Sequence, residues 1–286
     1  DFSNSLVRPD SPYWISTVKH ILKSLSFALA GLFVIRIPVF ADVEPDIVDI
    51  GSQRELFVDR HIVGELKGTS LKLHTPQLMP PISPARPHGH YATVLRADDK
   101  FQFYYRGDTT PGNHWKKGWE QYHEGEVTLY AESKNGINWT LPKLGIYDAH
   151  PTFPAGNVVL MNEFLVTHNF TPFIDTKPGV PEAERYKALG GLAYQPHKEH
   201  LEVRSRRGPG GLKAYTSPDG IHWKKLRDGP VVLEEWGKYF DSQNYAFWSD
   251  SEQAYVCYFR RFIKGYRGIA RTTSTDFINW KPFVEM

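Results

Sequence analysis

The sequence predicts an all-β fold, a β-propeller, on three observations. A hairpin motif is written three times, a tier of aromatic strands precedes each copy, and short apolar runs follow two of them. The motif is Ser-x-Asp/Asn-Gly/Phe-Ile-x-Trp. Its copies are Ser133-Lys134-Asn135-Gly136-Ile137-Asn138-Trp139, Ser217-Pro218-Asp219-Gly220-Ile221-His222-Trp223 and Ser274-Thr275-Asp276-Phe277-Ile278-Asn279-Trp280. An alternating run leads into each, at 127–132, 212–216 and 269–273. Asn-Gly and Asp-Gly supply the left-handed residues that a tight hairpin requires. Each Trp then opens the return strand with a large apolar face for a neighbouring sheet.

Four strands per unit follow, A to D from inner to outer. Strand A is read at 91–96, 169–174 and 244–248, and strand B at 101–106, 186–190 and 255–260. Strand C is the run before each motif, and strand D is read at 157–160 and 230–233. The units run from about 88 to 160, 168 to 233, and 240 to the end, with strand D of the third unit missing. A further strand is expected at 55–60. The three motif tryptophans are expected to be mostly buried between sheets. A propeller ring closes with at least four blades, so roughly two more are expected beyond these residues.

Composition fits a globular domain: 41% hydrophobic, 23% charged, and a generous 14% aromatic. A net charge of +2 offers no electrostatic case for a nucleic-acid partner. Arg204, Arg206 and Arg207 form a basic cluster that reads as a solvated loop. The single cysteine, Cys257, rules out an internal disulfide and reads as a small buried hydrophobe within a strand.

The organisation is read as residues 1–41, an upstream segment and signal peptide, followed by a partial propeller domain at 42–286. Lys19, His20 and Lys23 precede an apolar stretch at 25–35, and Val39-Phe40-Ala41 supplies a cleavage pattern. The stretch is short for a membrane span. The expected location is secreted or periplasmic, and an uncleaved signal anchor is the alternative and the single route to a membrane. The residues from 1 to 17 read as sequence upstream of the signal.

The boxes and their Tyr-x-Tyr-x-Arg strands resemble the five-bladed propellers of the glycoside hydrolase 32 and 43 clan. More closely, Glu55-Leu56-Phe57-Val58-Asp59-Arg60, His168-Asn169-Phe170-Thr171-Pro172-Phe173 and Phe240-Asp241-Ser242-Gln243-Asn244 resemble a secreted bacterial group described as similar to that clan. The resemblance covers residues 54–286 and implies the fold more strongly than a substrate. Sialidase boxes are similar, but here Gly directly follows Asp and the Thr before Trp is lacking, which argues against a sialidase.

Propeller geometry then sorts the polar residues. Inner strands begin at the funnel mouth, where the B-to-C loops also gather, so the three boxes and Asp175 belong to the opposite face. His88, His90, His168, Asn169, Asp241, Gln243 and Asn244 belong to the mouth. Arg106 and Arg260 end two B strands there, and Asp108 follows Arg106. Such a rim either binds a ligand or satisfies its own blade ends. Glycoside cleavage normally needs two carboxyl groups. Asp241 opens an inner strand and is the candidate catalytic residue, as base, nucleophile or the third carboxylate that the resemblance implies. No Glu begins an inner strand, and Glu234 and Glu235 lie in a loop.

The loop from 106 to 126 carries His114, Trp115, Trp119, Tyr122 and His123. Its aromatics either cover sugar faces or pack on their own blade. No histidine spacing is diagnostic of a metal, so neither metal nor cofactor is expected. The function read from these residues is a glycoside hydrolase-like propeller acting on a glycan. A non-catalytic carbohydrate-binding propeller is the alternative, and a protein-interaction propeller is a third. The substrate-binding candidates are His90, Arg106, Asp108, Trp115, Trp119, His168, Asn169, Gln243, Asn244 and Arg260.

Overall fold

The computed structural model describes residues 48–51, 55–78, 91–109, 123, 125–148, 150–194, 198–233 and 239–286. The signal pattern, His88 and His90, Trp115 and Trp119, and Glu234 and Glu235 lie outside the described residues. The chain divides into two compact units, Asp1–Pro76 and Gln77–Met286. The described residues of the first unit form neither strand nor helix, so the strand expected at 55–60 is not formed. Leu56, Phe57 and Val58 are exposed there. Asp59 instead folds the chain locally, its Oδ1 accepting from the His61 N–H at 2.8 Å.

The described residues of the second unit form a β-propeller array of three four-stranded antiparallel meanders. Blade 1 holds β1 (Thr93–Ala97), β2 (Lys100–Asp108), β3 (Glu126–Ser133) and β4 (Val158–Leu160). Blade 2 holds β5 (Thr171–Ile174), β6 (Tyr186–Gly190), β7 (Lys213–Ser217) and β8 (Lys224–Lys225). Blade 3 holds β9 (Tyr245–Ser249), β10 (Ala254–Ile263), β11 (Tyr266–Ser274) and β12 (Val284–Glu285). The inner strands β1, β5 and β9 neighbour one another in that order.

The outer strands depart from expectation. Blade 3 does have a fourth strand, with Val284 and Glu285 paired to Arg271 and Ala270. In blade 2 the outer strand is Lys224–Lys225, and the run at 230–233 contributes a single bridge from Val232 to Leu212. Two-residue strands carry no legible period, which is why pattern reading puts one at the wrong place and leaves the other out. The basic cluster also differs: Arg204, Arg206 and Arg207 lie in α1 (Lys198–Arg207), between β6 and β7, rather than in a loop. Straight-chain residues favour a helix, and Gly208, at φ +81°, caps it by donating its N–H to the Arg204 carbonyl.

Alternation along the strands fills the space between blades. Phe103 and Tyr105 of β2 pack within blade 1 with Val127, Leu129, Ala131 and Trp139. Tyr104, between them in sequence, faces the other way and joins Tyr130, Val159, Ile221 and Trp223. Blades 2 and 3 share a larger core, in which Phe173 and Leu189 meet Tyr255, Cys257, Phe259 and Phe277. Cys257 is fully buried and its thiol pKa is pushed far up by that burial, so it behaves as the small hydrophobe expected.

Each box folds the same way. The Ser hydroxyl oxygen accepts from the N–H groups two and three residues on, at 3.3 and 3.0 Å from Ser133. The next Asx oxygen does likewise, at 3.0 and 2.9 Å from Asn135. Asp219 and Asp276 repeat the pattern. Each Trp indole N–H then donates to the carbonyl three residues back. That carbonyl's residue is left-handed in every copy, with φ of 71° at Gly136, 77° at Gly220 and 67° at Phe277. Phe277 accepts this strain because its ring is fully buried against Phe173, Tyr255 and Trp280. Trp139 is buried at 4% exposure, but Trp223 and Trp280 are only partly buried, because two-residue outer strands give them less cover.

Candidate functional site

At the end of the second unit opposite the boxes, short segments entering the inner strands converge. Tyr91 lies two residues before β1, His168 and Asn169 precede β5, and Asp241 lies four residues before β9. From blade 1, β2 brings Arg106 and Asp108, while β3 begins at Glu126, directly opposite Asp108 across the ladder. Arg260 comes from β10. Tyr91 and Phe240, beside Asp241, both hold left-handed backbone, at φ of 64° and 63°. Such strain concentrates where a side chain must be aimed.

His168 is the hub. Its Nδ1 lies 3.0 Å from Glu126 Oε1, and its Nε2 lies 3.3 Å from Asp241 Oδ1. His123 approaches Glu126 from the other side, Nδ1 to Oε2 at 3.1 Å. The His123 and His168 rings meet edge to face, 4.6 Å apart. Arg106 Nη1 lies 3.4 Å from Glu126 Oε1 and 2.9 Å from His168 Nδ1, with its guanidinium over the Tyr91 ring. Asp241 accepts from the Tyr91 hydroxyl at 3.1 Å and from Arg260 Nη2 at 2.9 Å. Arg260 Nε is also buried, with no hydrogen-bond partner among the described residues.

The two carboxylates differ in access. The Glu126 side chain is 6% exposed and that of Asp241 52%. For Glu126, burial acts to raise the pKa, but hydrogen bonds and charge from His123 and His168 outweigh it and bring it down to about 2. Burial also opposes ionisation of Asp241, and hydrogen bonds from His168 and Arg260 with their charges hold it far below the usual range. Both are therefore carboxylates at neutral pH. Burial acts to lower the His168 pKa, yet its bonds to Asp241 and Glu126 raise it above that of a free imidazole. His123 goes the other way, because burial exceeds the help from Glu126. Burial, then the Asp241 charge, pushes the Tyr91 hydroxyl up to about 12, so it stays a donor.

Of the residues expected at the rim, Arg106, His168, Asp241 and Arg260 come together, and Asp108 stands beside Glu126 on the ladder. His90, Trp115 and Trp119 lie outside the described residues. Asn169 and Asn244 are fully buried, so no atom of either is open to a ligand as the site stands. The Asn169 amide donates to the carbonyls of Gly191, Phe240 and Ser242, and Asn244 donates to those of Phe240 and Ser242. Gln243 reaches the Ala92 carbonyl and Thr93 Oγ1 at 3.0 and 2.6 Å. These three amides fix the loops that carry Asp241 and Tyr91. Asp175, expected on the other face, is buried there against Lys187 at 2.8 Å and Tyr255 at 2.6 Å.

Sequence reading missed Glu126 and Tyr91. Glu126 opens β3, the third strand of its blade, whereas the propeller pattern points to carboxylates at inner-strand starts. Its signal was its place opposite Asp108 at the end of the hairpin that also carries Arg106. Tyr91 occupies the same pre-strand place as His168 and Asp241, and an aromatic there was read as strand. His123, Glu126 and His168 also bring three metal-binding side chains together, with ligand atoms all within 4.8 Å of one another.

No protein-family model and no curated protein matches the sequence. Solved structures do match. An exo-inulinase from Aspergillus awamori aligns at 14% identity and a TM-score of 0.44, over 70% of this chain and 38% of that one. A GH32 β-fructofuranosidase from Bombyx mori aligns at 11% identity and 0.41, over 68% and 36%. A family 117 glycoside hydrolase from Zobellia galactanivorans aligns at 13% identity and 0.42, over 74% and 60%. The chain thus spans between about a third and three-fifths of the length of these proteins. Its resemblance to glycoside hydrolase propellers of the GH32 and related kind is one of fold, and the fold itself stands on the three stacked four-stranded meanders.

Proposed function

We propose that the protein acts on a glycan as a glycoside hydrolase-like propeller, with Asp241 at the centre of a polar funnel. The observation that carries this reading is the half-exposed Asp241 carboxylate, aimed by Tyr91, His168 and Arg260 from three different blades. An ionised carboxylate accepts sugar hydroxyls, and guanidinium groups and a phenol donate to them. Held as a carboxylate, Asp241 serves as base, nucleophile or orienting group, and not as the general acid. Glu126 is buried behind His168 and ionised as well, so it is not the acid either. The acid would come from residues outside those described, and Trp115 and Trp119 would cover a ring face. Secretion through the segment at 1–41, and exclusion of nucleic acid as a partner, belong to the same reading.

The ionisation of both carboxylates also speaks for a second reading, a binding propeller without catalysis. Full-length protein would be screened on an oligosaccharide panel for binding and for release of reducing ends. Asp241→Asn is expected to abolish both under the first reading, and to weaken binding with no hydrolysis ever detected under the second. Unchanged binding and turnover in Asp241→Asn would remove the site from the function.

A further inference from the structure

We propose that His123, Glu126 and His168 form a binding site for one divalent transition-metal ion of the zinc type. Two imidazoles and one carboxylate are the donor set that zinc takes in catalytic sites, where it keeps a further position open. His123 and Glu126 stand three residues apart on one segment, and His168 arrives from the next blade, so the folded sheets assemble the set. The ligand atoms lie within 4.8 Å of one another, and all three residues are buried. Wrong-metal competition by hard oxygen-seeking cations is disfavoured by the two nitrogen donors.

Two further observations point to a cation. First, His168 Nδ1 is approached by both a donor and an acceptor, Arg106 Nη1 at 2.9 Å and Glu126 Oε1 at 3.0 Å. One ring nitrogen serves only one of them: as a lone pair it takes the arginine, and as an N–H it serves the glutamate. A metal ion bound by that lone pair and by Glu126 satisfies both protein ligands at once. Second, His168 Nε2 faces Asp241 Oδ1 at 3.3 Å. Metal-bound histidines characteristically donate their other N–H to a carboxylate, which fixes the ring and raises its basicity. Asp241 occupies that second place. Arg106 is the competitor in this arrangement and must withdraw from Nδ1 when the metal enters.

Tag-free full-length protein would be stripped with chelator and titrated with Zn2+ alone by calorimetry. In parallel, Co2+ alone would be followed by its visible absorption. The expected result is one equivalent of tightly held Zn2+, and Co2+ bands intensified as for a low-coordinate nitrogen and oxygen site. Asp241→Asn should weaken Zn2+ by about 10- to 100-fold, and His123→Ala by more. His222→Ala, an exposed histidine at the box end, should change neither. Glycan binding measured on the same stripped samples keeps this proposal separate from the functional one. No Zn2+ uptake and an unchanged aqueous Co2+ spectrum in the wild-type protein would overturn it, whether or not the variants fold. A folded His123→Ala protein with wild-type Zn2+ affinity would overturn it equally.

Discussion

The two ends of the blade array use their polar side chains differently. At the box end, Ser133, Asn135, Ser217, Asp219, Ser274 and Asp276 bond to backbone two or three residues away, and the same local pattern recurs three times. At the other end, hydrogen bonds from His168 span 42 and 73 residues, and Tyr91 to Asp241 spans 150. Local bonds make identical turns wherever the motif is written, so they serve the fold. Distant bonds also occur at the box end, as from Arg185 to Asp98 and from Tyr255 to Asp175, but there they tie blades in separate pairs, whereas at the other end they meet on His168 and Asp241 in a single place. The difference teaches that repetition marks structure here, and convergence of unlike residues marks the candidate site.

Variants that break this contrast should differ in size. The largest stability loss is expected from Glu126→Gln, about 3–5 kcal/mol, because it removes a buried carboxylate that Arg106, His123 and His168 all face, leaving Asp241 as the one acidic partner of His168 among the described residues. Denaturant unfolding checks it, and a loss below about 1 kcal/mol, the scale of a surface pair, would mean the ion cluster is not what holds that end. Trp223→Ala comes next, at about 2–4 kcal/mol, somewhat under the cost for a fully buried aromatic. Trp223 is partly exposed but still packs edge to face on Phe170 at 5.0 Å. Gly220→Ala should follow at about 2 kcal/mol, combining left-handed strain with overpacking. Its new Cβ would meet the Tyr104 hydroxyl and Gln102 of blade 1. Gly136→Ala meets nothing closer than Phe101 at 3.7 Å and should cost about 1 kcal/mol, the strain alone.

The smallest effect is one of pH. Burial acts to raise the Asp219 pKa, but hydrogen bonds from the backbone and ring of His222, from Ile221 N–H and from Ser217 outweigh it and bring it to about 2. A folded-state pKa below the unfolded value adds stability above the unfolded value, and that share disappears as pH falls through the folded one. The Asp219 contribution should therefore be intact above about pH 4 and fade toward pH 2. Asp219→Asn should flatten the melting temperature against pH in that window, and an unaltered slope would show that the box carboxylate adds nothing.

Legibility in the sequence followed the same division. The boxes, the three blades and most strands were readable because alternation and an Asx-Gly turn are short-range signals. The outer strands Lys224–Lys225 and Val284–Glu285 were not, since two residues have no period. At the converging end, Arg106, His168, Asp241 and Arg260 were found through the topology that motif repetition implied. Glu126 escaped because Arg106 and His168 reach it from β2 and from the segment before β5, and its own strand is not an inner one. Asn169, Gln243 and Asn244 lie at that end too, but sequence does not say whether an amide there faces a ligand or ties down a loop. Here all three make such ties.

The central claim is that the Asp241 carboxylate, at the converging end, serves binding, whereas the Ser and Asx side chains of the boxes serve the fold. The most direct measurement is Asp241→Asn in the full-length protein, with oligosaccharide binding and thermal unfolding recorded on the same sample. The Asp241 side chain is half exposed, so the account predicts a stability change under about 1 kcal/mol together with loss of binding. A melting temperature lowered as far as in Trp223→Ala, with oligosaccharide binding intact, would contradict it.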